Sequence, residues 1–153
     1  MTKEVEFSFK SPNDSPGYLL AHLTMLWQRK QKKALDPLDL THTQFVLLAS
    51  LSWLSRENNV VTQVDIANQS NADRMMVSKV LRTLEEKKII TRQEHQTDTR
   101  AKTIQLTNAG RETLQKAIIK VENTDKDFFE AIETSLSSFN ANMLKLIDDN
   151  KGE

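Results

Sequence analysis

The sequence contains no cysteine, which excludes a disulfide framework, a thiolate metal site and a cysteine redox switch. Glycine and proline are scarce, three of each in 153 residues, so most of the chain is expected to be regular structure. No apolar run is long enough to span a bilayer, and the start, MTKEVEFSFK, lacks the apolar core of a signal peptide. A cytoplasmic protein with no membrane partner is therefore expected. There is no glycine-rich phosphate loop, no serine, histidine and aspartate set, and no paired carboxylates suited to a pocket, so neither an enzyme nor a cofactor is expected. The histidines His22, His42 and His95 fall on three separate elements without a ligand at helical spacing, which argues against metal binding.

Charge is balanced overall, with 21 basic and 21 acidic residues, but it is not evenly spread. From Asn71 to Thr103 there are eight basic residues against five acidic, whereas from Glu122 to Glu153 there are eight acidic against three basic. One end of the molecule is thus suited to a polyanion and the other is repelled by it.

What remains is largely helical pattern. Residues 1–14 read as an arm, and Ser15-Pro16 opens a helix over 15–36 with a serine cap and proline in the first turn. Pro37 stops it. Thr41 and Gln44 form a capping box ahead of FVLLASLSWL, a run apolar on nearly every side and so suited to the centre of a domain. Thr62 to Gln69 predicts a short helix, Ser70-Asn71-Ala72 a tight turn, and Asp73 the cap of a third helix reaching about Lys87. Two helices joined by such a turn form a helix-turn-helix. The apolar period then drops to two: Ile89–Gln93 and Lys102–Thr107 read as paired strands around a polar tip at 94–101, a wing. From Asn108 the chain is helical again. The fold class predicted is mainly α with a small β-hairpin: a winged helix-turn-helix over 37–107, flanked by helical regions at 15–36 and 108–153.

The block RMMVSKVLRTLEEKKIITRQEHQTDTRAKTIQLTNAGRE resembles the MarR family of bacterial transcription regulators. Asp98-Thr99-Arg100 at the wing tip, followed by Leu106-Thr107-Asn108-Ala109-Gly110, carries the resemblance most specifically, and helix order agrees from about Ser15 onward. Many members have glycine where this chain has Lys88, so that residue must either turn left-handed or end the helix differently. The resemblance implies a homodimer, a repressor on double-stranded DNA with a pseudo-palindromic operator, and release by a small aromatic or amphipathic effector.

With Val77, Val80, Leu81 and Leu84 turned inward, Arg74, Met75, Met76, Ser78, Lys79 and Arg82 are left to face the major groove. Arg74 suits a guanine edge and the methionines a thymine methyl, while Ser78, Lys79 and Arg82 suit phosphates. At the wing, Arg100 suits the minor groove, Asp98 would brace it, and Lys102 adds a phosphate contact. Tyr18, His22, Trp27, Phe45 and Trp53 are the candidate effector pocket. The candidate dimer interface comprises Leu19 and Leu23, then Leu114, Ile118, Val121, Phe128 and Ile132 on a heptad-like seam that includes Asp125, and Leu136, Phe139, Met143 and Leu146 on a second stripe. The same stripes would also serve the chain's own core, and a winged helix that binds protein instead of DNA is the alternative function.

Overall fold

A computed structural model describes residues 2–94, 97 and 101–152. Six helices and one hairpin follow in the order α1 (Pro16–Leu35), α2 (His42–Ser55), α3 (Gln63–Ser70), α4 (Arg74–Glu86), β1 (Ile90–Glu94), β2 (Lys102–Leu106), α5 (Asn108–Phe129) and α6 (Leu136–Asn150). Short 3-10 turns precede and follow α1, and a third, Glu130–Ser135, breaks the last helical stretch between α5 and α6.

Helix starts follow local chemistry. Ser15, Thr41, Thr62, Asp73 and Thr107 each cap a helix by accepting a backbone N–H, and Thr41 with Gln44 and Thr62 with Asp65 complete capping boxes. Helix ends show how a glycine-poor chain turns. Asp39, Asn71 and Lys88 all adopt left-handed backbone, with φ of 54°, 56° and 63°. At each, the next residue's N–H reaches back five residues, Leu40 to Leu35, Ala72 to Ala67 and Ile89 to Leu84. These are Schellman endings, each with an apolar pair across the turn. Lys88 therefore takes the left-handed alternative.

The core gathers Leu47, Leu48 and Leu51 of α2, Ile66 and Ala67 of α3, Val77, Leu81 and Leu84 of α4, and Ile90 and Ile104 of the hairpin. Helix α2 is central, packing on α1, α3, α4, α5 and β2. The hairpin pairs Ile90 with Leu106 through Glu94 with Lys102, antiparallel. Leu114 and Val121 of α5 are buried in this same core, and Ile118 packs against it. The first half of the heptad-like seam, Leu114 and Val121 with Ile118 at its margin, thus packs on the chain's own core, the other use open to these stripes. In α6, by contrast, no residue is buried, and Met143, Leu144, Leu146 and Ile147 are exposed together with Leu19, Leu20 and Leu23 of α1.

Candidate nucleic-acid interface and the junction behind it

Helix α4 presents two faces. Val77, Leu81 and Leu84 are fully buried and Val80 is partly so, while Arg74, Met75, Lys79 and Arg82 are exposed and Met76 and Ser78 lie half-buried at the margin. Met75 is 84% exposed, an apolar side chain held in solvent between basic neighbours. Asp73 fixes the start of the helix, its carboxylate accepting the N–H groups of Met75 and Met76 at 3.0 Å. Lys102 is exposed on β2 opposite Glu94. Asp98 and Arg100, and with them the wing-tip contact, lie outside the described residues.

Not every basic residue of this region is available to a ligand. The Arg92 side chain, only 15% exposed, donates from Nε and Nη2 to Glu85 Oε1 of α4 at 3.3 and 3.2 Å. Its Nη1 donates to Gln63 Oε1 of α3 at 3.0 Å, so one guanidinium ties the wing's first strand to both helices of the helix-turn-helix. Lys87 donates to the Asp39 carbonyl and pairs with the Asp39 carboxylate at 3.3 Å, fastening the end of α4 to the turn after α1. The basic excess counted along the sequence is therefore part structural strut and part open face.

The motif Leu106–Gly110 has a mechanical role. Thr107 Oγ1 accepts the Gly110 N–H at 2.9 Å and donates toward the Lys88 and Ile89 carbonyls, while the Thr107 N–H donates to Ile89 at 3.0 Å. A Cβ on Gly110 would stand 2.1 Å from the Ile89 carbonyl oxygen. The glycine lets α5 start directly against the segment joining α4 to β1.

The five aromatic and histidine positions expected to form one effector pocket do not come together. Trp27 and Phe45 do, through His42, whose ring stands edge-on to Trp27 at 4.9 Å and 6.3 Å from Phe45. Tyr18 and His22 form a separate edge contact near the start of α1. Trp53 is 60% exposed, with the Arg56 guanidinium 4.7 Å over its ring. The residues missed in the sequence are the polar ones behind Trp27. Asp125 Oδ1 of α5 accepts from Trp27 Nε1 at 2.8 Å and from Gln31 Nε2 at 2.7 Å. Gln31 is fully buried, and its Oε1 has no partner among the described residues. Burial pushes the His42 pKa below its ordinary 6.5, opposed by the nearby Asp125 carboxylate. The signal was present: a carboxylate at the centre of an apolar seam is out of place unless something donates to it. Among the described residues no group of three His, Cys, Asp or Glu side chains is placed to hold a metal ion, and no helix is long and apolar enough to cross a membrane.

A helix-turn-helix with a hairpin wing, a basic outward α4 and a cap-to-strand hinge at Thr107 defines a winged-helix DNA-binding regulator. The model of the ArnR1-like winged-helix domain matches residues 36–125. The HTH-type transcriptional regulator YdcH of Bacillus subtilis (strain 168) is 46% identical over 123 residues, 80% of this chain and 84% of that protein. Among solved structures, MepR of S. aureus in complex with DNA superposes with a TM-score of 0.78 at 26% identity, covering 88% of this chain and 98% of its own. The transcriptional repressor CouR on a 23-mer DNA duplex gives 0.79 at 23% identity, covering 94% and 99%. CouR from Rhodococcus jostii RHA1 bound to p-coumaroyl-CoA gives 0.75 at 23%, covering 95% and 99%. The chain belongs to the MarR family of winged-helix transcription regulators.

Proposed function

We propose that this regulator is a homodimeric repressor that reads a pseudo-palindromic operator, with α4 in the major groove and the wing at 94–102 in the minor groove. The observation that carries the reading is the outward face of α4, where Arg74, Met75, Lys79 and Arg82 are exposed on a helix whose opposite face is locked into the core. An exposed methionine among cations fits a merely solvated helix face poorly, whereas a groove offers thymine methyls and phosphates side by side. The DNA complexes of MepR and CouR support the same use of the fold.

In this reading Arg74 takes a base edge, Met75 and Met76 contact methyl groups, and Ser78, Lys79, Arg82 and Lys102 position the helix and wing on phosphates. Arg100 reaches the minor groove with Asp98 bracing it. The dimer is completed by the exposed residues of α1 and α6, and a small molecule acting near Trp27 and Phe45 changes the spacing of the two reading heads. The effector complex of CouR supports a ligand-responsive member of this fold.

Fluorescence anisotropy with DNA from upstream of the protein's own gene tests the proposal. Arg74→Ala and Arg100→Ala are each expected to weaken specific binding about tenfold or more, in line with about 1–3 kcal/mol per base-reading contact. Affinity should also fall steeply with salt as counterions are released. Wild-type affinity in both variants, or a flat salt response, would remove the groove assignment.

A further inference from the structure

A concave site that does not include Trp27 lies between the end of α2, strand β2 and the first turns of α5. It encloses about 490 Å³, within the range of small-molecule sites. Its floor is apolar, formed by Val61, Ile104, Leu106, Leu114 and Ile118. Its walls carry hydroxyls and carboxamides, and its one charged residue is Arg111.

The pairing pattern of these walls is the informative part. Asn58 Nδ2 and Ser55 Oγ donate to carbonyls of their own helix, Leu54 and Leu51. The side chains of Ser52, Asn59, Gln105 and Gln115 have no hydrogen-bond partner among the described residues. Arg111 has no carboxylate partner among them either; its Nη1 donates to Asn108 Oδ1 at 3.2 Å, which steadies the guanidinium without neutralising it. Carboxamides and hydroxyls both donate and accept, matching ligand hydroxyls, while a guanidinium fork matches a carboxylate or phosphate. The apolar floor suits the C–H face of a sugar ring.

We propose that this groove binds a small polyhydroxylated anion, a sugar phosphate or sugar acid, and that occupancy acts on the wing. The coupling is direct. Ile104 and Leu106, in the floor, belong to the strand that leads out of the wing, and the Ile104 N–H donates to the Val61 carbonyl across the groove at 2.8 Å. Thr103 also bridges to Thr62 at the start of α3. A ligand seated between Arg111 and Gln105 therefore bears on the β2 register that aims the wing.

Amide-resolved NMR titration of the intact protein tests this with hexose 6-phosphates and hexuronates, using glucose and inorganic phosphate as controls at matched ionic strength. The expected result is saturable shifts confined to residues 52–61, 104–106 and 111–118 for at least one phosphate or uronate, the two arms separating the anion sources. Arg111→Gln should weaken that binding at least about tenfold, as loss of a charge-assisted contact does, with Arg111→Lys intermediate and the thermal midpoint unchanged. The proposal is overturned if no member of the panel gives saturable shifts, if Arg111→Gln binds equally well, or if shifts fall on α4 and are matched by inorganic phosphate. That last pattern would reflect the DNA-binding face alone. Shifts centred on Trp27, Gln31 and Asp125 would instead place the ligand at the other site and likewise overturn this one.

Discussion

Asp125 accepts two hydrogen bonds at a single oxygen, from an indole N–H and a carboxamide N–H that have no other partner among the described residues. Removing it strands both donors, one of them on the fully buried Gln31. Hydrogen bonds to a charged group contribute about 1.5–3 kcal/mol, so Asp125→Ala should lower the unfolding free energy by about 2–3 kcal/mol in urea denaturation at fixed protein concentration. Asp125→Asn should recover part of the loss, since its carbonyl oxygen still accepts. His42 adds a pH dependence of known sign. Its folded pKa is lowered, chiefly by burial, so the unfolded chain takes up the proton first and stability falls as pH drops below about 6.5. Thermal midpoints measured from pH 8 to pH 5 should therefore decline, and His42→Gln should flatten that decline. A midpoint that rises on acidification in the wild type would reverse the assignment. Neither residue stood out in the sequence as a site. A heptad reading registers Asp125 only as a gap in an apolar stripe, and no spacing rule connects it with Gln31, 94 positions away. The aromatic positions were visible, but aromaticity alone does not separate Trp27, which has polar partners, from Trp53, which faces solvent.

Among the elements, the join between α4, the hairpin and α5 sets how α4 and the hairpin are held relative to each other. Gly110 starts α5 in contact with the Ile89 carbonyl, where a methyl group would overlap backbone at 2.1 Å. Backbone on one side and a helix start on the other leave little room to relax. Gly110→Ala is expected to destabilise the protein by more than about 2 kcal/mol, against the usual gain for glycine to alanine in a helix. Circular dichroism melting would show it as a large fall in midpoint; a neutral or stabilising outcome would mean that α5 shifts freely against the strand. The helices, their caps and the hairpin were legible because each rests on local rules: Thr41 with Gln44, Asp73 on α4, and the change of period after Lys87. The division of the last helical stretch was not. Ile132 departs from helical backbone inside the turn at Glu130–Ser135, although no glycine or proline marks the break. The fate of the α5 seam was hidden for a related reason, since periodicity shows that a face is apolar without showing which surface covers it.

At the scale of the whole molecule, two helices carry exposed apolar side chains among the described residues. Helix α6 has Met143, Leu144, Leu146 and Ile147 exposed, and α1 exposes Leu19, Leu20, Leu23 and Leu26. Apolar surface on this scale marks an association site, and in the proposed homodimer a second copy of the chain would supply the same surface by two-fold symmetry. The acidic excess beyond Glu122 falls in the last part of the chain, which ends in α6. Because these side chains are exposed in the single chain, charging two of them leaves its core untouched. Leu23→Asp combined with Leu146→Asp should thus retain the helical circular dichroism signal while sedimenting at the chain mass of 17.5 kDa in place of twice that value. Each buried leucine contributes about 1.5–3 kcal/mol, and the change acts in both protomers, which is enough to dissociate a micromolar dimer. A monomer holds one half-site at a time, so operator affinity should fall at least about a hundredfold, while the contacts of each half-site persist at high protein concentration. A variant that stays dimeric would place the interface elsewhere. One that becomes monomeric yet binds the operator at wild-type strength would separate DNA reading from dimerisation.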